Sequence, residues 1–109
     1  MPGVGDDLGG ERRCSRTVPG VADPLAEVLD VLARRGALDV FRALTAGALT
    51  ERAVETRVRG LAPSVVAQRV ADLRRIGAVE VVPETGDLRL SPHGRRLQGL
   101  LDSLARWAT

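Results

Sequence analysis

The sequence holds no lysine, asparagine or tyrosine, and only one cysteine, one histidine, one tryptophan and one phenylalanine in 109 residues. A single cysteine closes no internal disulfide, which fits a reducing compartment, and a cytoplasmic location is expected. His93 has neither a second histidine nor a nearby cysteine to complete a metal site, so no metal is expected. The acids show no pairing suited to acid–base chemistry, and one histidine supports no Ser/His/Asp arrangement. The glycine-rich stretches GVGDDLGG and TAGALT lack the lysine and the strand–helix context of a phosphate loop. No apolar run approaches the ~18 residues of a membrane span. The start MPGVGDDLGG carries no basic segment followed by an apolar one, so no secretory signal is expected. The length is short for a full dinucleotide-binding domain or a (β/α)₈ barrel. An enzyme is therefore not expected, nor a cofactor.

What remains is globular in composition. With 44% hydrophobic and 28% charged residues, one modest core can form. All sixteen basic residues are arginine, and the chain is rich in Ala, Gly and Val. That pattern matches GC-biased codon usage, so a single arginine weighs little as a functional signal. The formal charge of +2 is compatible with a nucleic-acid partner but does not identify one.

Residues 1–22 are rich in Gly, Pro and charge without apolar periodicity, and read as a mobile tail containing Cys14. Residues 23–109 read as one domain. Asp23-Pro24 is a cap followed by a first-turn proline, and Leu25, Val28, Leu29 and Leu32 then form an apolar face that ends at Arg34-Arg35-Gly36. A second helix over 37–45 turns Ala37, Val40, Phe41 and Leu44 inward, with Asp39 and Arg42 outward. Thr50 caps a third, whose apolar line is Val54, Val58 and Leu61. Gly60 supplies the positive φ of a tight turn, and Pro63 opens a fourth helix that reaches Ile76. Val79–Val82 and Leu88–Leu90 flank a Gly-containing turn and read as a hairpin. Ser91-Pro92 starts the last helix, which carries Leu97, Leu100, Leu101, Leu104 and Trp107. About 85 ordered residues make a marginal monomer, and the leucine-rich terminal helices offer a dimer core.

Two short helices around a Gly turn, followed by a hairpin, make the winged helix-turn-helix pattern, so the fold class is mainly α with a small β-hairpin. The run Gly60-Leu61-Ala62-Pro63, the stretch Gln68–Val79, then Leu90-Ser91-Pro92-His93-Gly94 and Leu104-Ala105-Arg106-Trp107 sharpen the match. In that order they resemble the HxlR-type branch of the MarR-like transcription regulators. The resemblance covers about residues 24–108 and implies a dimeric regulator that binds DNA. Its partners would be double-stranded DNA and a second copy of the chain, with no membrane; a small-molecule effector is left open. An early cysteine acts as a redox sensor in some relatives, which makes Cys14 the candidate thiol, although it lies about nine residues before the first helix.

On a 100° wheel the fourth helix turns Val66, Val70 and Leu73 to the core. Ser64, Gln68, Ala71, Asp72 and Arg75 point outward, flanked by Val65 and Arg69. The N-terminal half of such a helix meets base edges in the major groove. Ser64, Val65, Gln68 and Arg69 are therefore the candidates for base readout: Gln suits adenine, Arg suits guanine, and Val suits a thymine methyl. Arg52, Thr56, Arg59 and, on the wing, Arg89 are candidates for phosphate contact. Leu25, Leu29, Leu97, Leu100, Leu101, Leu104 and Trp107 are candidates for the dimer interface.

A second reading stands beside this one. The wing tip Glu84-Thr85-Gly86-Asp87 is acidic, and the position before the recognition helix is Ala62 rather than a capping Ser or Thr. Both features suit a winged-helix module for protein interaction or dimerisation that has lost DNA binding.

Overall fold

The cap signals in the sequence become hydrogen bonds in the structure, a computed structural model that describes residues 23–109. The tail expected over 1–22, with Cys14, lies outside the described residues. Asp23 accepts from the Ala26 amide at 3.2 Å and Thr50 from Ala53 at 3.0 Å, while Ser91 accepts from Gly94 at 3.0 Å. Each satisfies an N-terminal amide that would otherwise lack a partner. They open helices α1 (Pro24–Leu32), α3 (Glu51–Arg57) and α5 (Pro92–Ala108). Between them lie α2 (Ala37–Ala43) and α4 (Pro63–Arg75), and an antiparallel hairpin pairs β1 (Val79–Val81) with β2 (Leu88–Leu90). This is the winged helix-turn-helix arrangement, with α3 and α4 as the helix-turn-helix and the hairpin as the wing. Most helix ends fall one or two residues before the positions read from the sequence, as fraying ends do.

The turn from α3 to α4 is made at Gly60, whose φ of +82° only glycine adopts readily. In the wing, Val79 pairs with Leu90, Glu80 with Arg89 and Val81 with Leu88. A single bridge between Leu49 and Leu88 ties the segment before α3 to the hairpin, with backbone bonds of 2.9 and 2.7 Å. Leu49 and Leu88 are far apart in the chain, and no local pattern marks their contact.

The core is the set of stripes the periodicity predicts: Val40, Phe41, Leu44, Val54, Val58, Val66, Val70 and Leu73, closed by Ala78, Val79, Leu88 and Leu90. On α1 the residue in the core is Val31, which the apolar face read from the sequence left out, while Leu25 and Leu29, assigned to a dimer interface, are 67% and 56% exposed in the single chain. A nine-residue helix with large apolar residues at five positions presents two adjacent stripes, and the one carrying Val31 docks. Asp72, expected to point outward, is fully buried. The side chains of Arg34, Arg69, Arg75 and Gln68 converge on it and cover it.

α5 leaves the wing at a very close approach. A side-chain carbon at Gly94 would sit 2.1 Å from the Ala78 carbonyl oxygen, so only glycine lets the helix cross there. Ser91 donates its hydroxyl to the Gly77 carbonyl as well as capping the helix.

Candidate nucleic-acid interface

α4 is held on its inner side by Val66, Val70 and Leu73, which leaves Ser64, Gln68, Ala71 and Arg75 exposed along the opposite side. Val65 is half-buried. No side chain caps α4 at Ala62, and the first turn closes through the Val65 and Val66 amides onto the Ala62 carbonyl.

The flank of α4 is an ion-pair cluster centred on Asp72. Its carboxylate receives Arg69 at 2.6 Å, Arg34 at 3.0 Å, and Arg75 and the Gln68 amide nitrogen at 3.2 Å each. Arg34 also pairs with Asp30 at 2.7 Å, and Arg75 reaches Glu27 at 3.7 Å. The cluster therefore ties α1 to α4. Burial pushes the Asp72 carboxyl up, but the hydrogen bonds from Arg34, Arg69 and Gln68 outweigh it and hold its pKa at about 2. The same contacts, led by Asp30 and then Asp72, raise Arg34. Arg69 also donates from Nε to the Arg35 carbonyl at 2.9 Å, and its side chain is only 18% exposed. Arg69 is thus committed to the support of α4, while Ser64 and Gln68 stand on the open strip.

Among the phosphate candidates, Arg52 and Arg59 are exposed, and Thr56 is exposed with its hydroxyl returned to the Arg52 carbonyl at 3.1 Å. Arg89 is paired across the wing with Glu80 at 2.6 Å. The tip beyond it carries Glu84 and Asp87. Arg42 and Arg57, not singled out from the sequence, join Arg59 and Asp39 around an open depression of about 490 Å³. Their position in the last turns of α2 and α3 suits cations without any ligand.

Of the residues assigned to a dimer interface, Leu25, Leu29, Leu100, Leu104 and Trp107 lie 56–83% exposed on α1 and α5. Leu97 and Leu101 instead pack, half-buried, against the chain's own core. Among the described residues no group of His, Cys, Asp or Glu is placed to hold a metal ion, and no helix is long and apolar enough to cross a membrane.

No family model matches the chain, and no curated protein does. Solved structures do. The quinone-bound form of YodB from B. subtilis superposes with a TM-score of 0.69 at 18% identity, covering 77% of this chain and 93% of that one. The reduced form of the same transcriptional regulator gives 0.69 at 20% identity, over 81% and 91%. A putative transcriptional regulator of the MarR family from Enterococcus faecalis V583 gives 0.64 at 20% identity, over 84% and 91%. At these identities the likeness is one of fold.

Proposed function

We propose that this chain is a homodimeric, sequence-specific DNA-binding transcriptional regulator of the HxlR type, a binding protein rather than an enzyme. The observation that carries the reading is the open strip Ser64–Gln68–Ala71–Arg75 on a helix-turn-helix whose fold is shared with transcriptional regulators. In this reading α4 enters the major groove, Ser64, Val65 and Gln68 face base edges, and Arg69 fixes the helix they stand on. Arg52 and Arg59 meet phosphates, with Thr56 beside them.

The exposed leucines of α1 and α5, with Trp107, support a mate. Five large apolar side chains left in water on two neighbouring elements are the usual mark of an interface. A pair is also what the electrostatics ask for. Residues 50–96 hold nine arginines and six acids, a net of +3 per chain, and a dimer doubles it. The proposal extends to a small-molecule effector, since one of the similar structures is a quinone-bound form. Cys14 is the one thiol such an electrophile would meet in this chain.

The test is titration onto the DNA upstream of the chain's own operon at 50 and 200 mM salt. About four phosphate contacts predict a loss of affinity of roughly 100-fold between the two. Absent or salt-insensitive binding would remove the reading. The protein-interaction module remains the alternative because the one wing cation is neutralised by Glu80 and the tip is acidic. It would prevail if Gln68→Ala left activity intact while substitutions at Glu84 and Asp87 abolished binding of a protein partner.

A further inference from the structure

Gln68 is the one residue on the open strip of α4 whose side chain carries both a donor and an acceptor on an amide. A glutamine free to turn does not choose strongly between purines. Its oxygen and one N–H match N6 and N7 of adenine, and its two N–H groups can serve the acceptors O6 and N7 of guanine.

Here the amide is not free to turn. Its nitrogen lies 3.2 Å from Asp72 Oδ1, one helical turn further on. The Asp72 carboxylate is ionised at any pH near neutral and only accepts. The opposite flip would set Gln68 Oε1 against Asp72 Oδ1, two acceptors with no proton between them. Nor can the carboxylate swing aside, because Arg34 and Arg75 hold its Oδ1, Arg69 holds its Oδ2, and it is fully buried.

One N–H of Gln68 is therefore taken up by Asp72. What remains is Oε1 and the second N–H, an acceptor beside a donor. That pair complements adenine and is one donor short for guanine.

We propose that Asp72 is a positioning residue that fixes the Gln68 amide to read adenine in the major groove, with Arg69 part of the support and not of the reading. The inference rests on the DNA-binding reading above. A glutamine–aspartate pair of purely structural value would steady the helix, but it would not alter which base is chosen.

Two measurements on the full chain test it. In the first, duplexes are selected from a randomised library by the wild type, Gln68→Ala, Asp72→Asn and Arg34→Gln, with folding checked by circular dichroism. The wild type should enrich adenine over guanine about 10-fold at one position of each half-site, within the range of a bidentate contact. Gln68→Ala should flatten that position alone. Asp72→Asn, whose amide can face Gln68 with either end, should bring the ratio down to about 2-fold. Arg34→Gln, which leaves the Gln68–Asp72 bond in place, should keep the preference.

The second measurement needs no DNA. The chain has no asparagine and only two glutamines, Gln68 and Gln98, so its side-chain amide NMR region holds two NH₂ pairs. The pair lost in Gln68→Ala should show one proton shifted and slow to exchange in the wild type. Two freely exchanging protons at ordinary amide shifts would overturn the proposal, even if Asp72→Asn does not fold. Adenine preference unchanged in a folded Asp72→Asn, or a motif untouched by Gln68→Ala, would overturn it while leaving the regulator reading in place. A held amide with no enriched sequence for the wild type would remove the DNA reading, and this inference with it.

Discussion

Replacing Asp72 by asparagine removes the one charge shared by Arg34, Arg69 and Arg75, and the loss should depend on pH in a calculable way. The folded protein holds the Asp72 pKa at about 2 against an ordinary 3.8. At 1.36 kcal/mol per unit, that depression corresponds to about 2 kcal/mol of stability. The surrounding guanidinium groups are 18–48% exposed, so salt screening trims the figure toward about 1 kcal/mol. The sign follows from the direction of the shift. A depressed carboxylate stabilises the fold above its unfolded pKa, and the stabilisation is lost as pH falls through the folded value. Protonated Asp72 and the amide that replaces it are near-isosteres, so the two proteins should converge in acid. Urea unfolding of both, at one protein concentration, should show a gap of about 1–2 kcal/mol above about pH 5 that closes between about pH 4 and pH 2. Other acids titrate in both proteins and cancel in the difference. A gap of equal size at pH 7 and near pH 2 would refute the assignment of the shift to this cluster, and no gap at all would mean the arginines do not stabilise it.

Other consequences are open to simpler assays. Gly94→Ala should cost about 3 kcal/mol, because the new carbon meets the Ala78 backbone at 2.1 Å and backbone does not yield. Gly99→Ala, with open space around it on the same helix, should instead stabilise by about 0.5–1 kcal/mol, and thermal unfolding separates the two. Leu100→Glu and Trp107→Glu, at sites 68% and 83% exposed in one chain, should leave the circular dichroism of the fold intact while sedimentation shows monomer at concentrations where the wild type is paired. Glu80→Gln should release Arg89 and steepen the salt dependence of DNA binding by about one phosphate contact per chain, about two for the dimer. An unchanged slope would mean the wing stays clear of the duplex.

The parts legible in the sequence were those fixed by neighbours along the chain. Asp23, Thr50 and Ser91 act as caps within three residues of themselves, and the stripes of α2, α3 and α4 follow from helical period alone. The parts missed depend on what another element covers. Val31 is buried because of how α1 leans on its neighbours, which a wheel does not contain. Asp72 was half visible. Gln68, Arg69 and Arg75 stand four and three residues from it, a spacing that gathers donors around one acid, but Arg34 reaches it only through the fold. The Glu80–Arg89 pair could have been found by matching outward residues across a hairpin centred on its Gly-containing turn. Within the candidate interface, the cluster moves Arg69 from the reading set to the support, and leaves Ser64 and Gln68 where the wheel placed them.

The account turns on two copies of α4 exposed at once and held at the spacing of successive major grooves. Pulsed electron resonance between spin labels at Ala71→Cys, in a Cys14→Ser background, measures that spacing directly, since Ala71 is exposed on the outer strip. A single population near about 34–36 Å, widened only by the label arms, is the predicted result. No distance between copies, or one far outside what adjacent grooves accept, would contradict it.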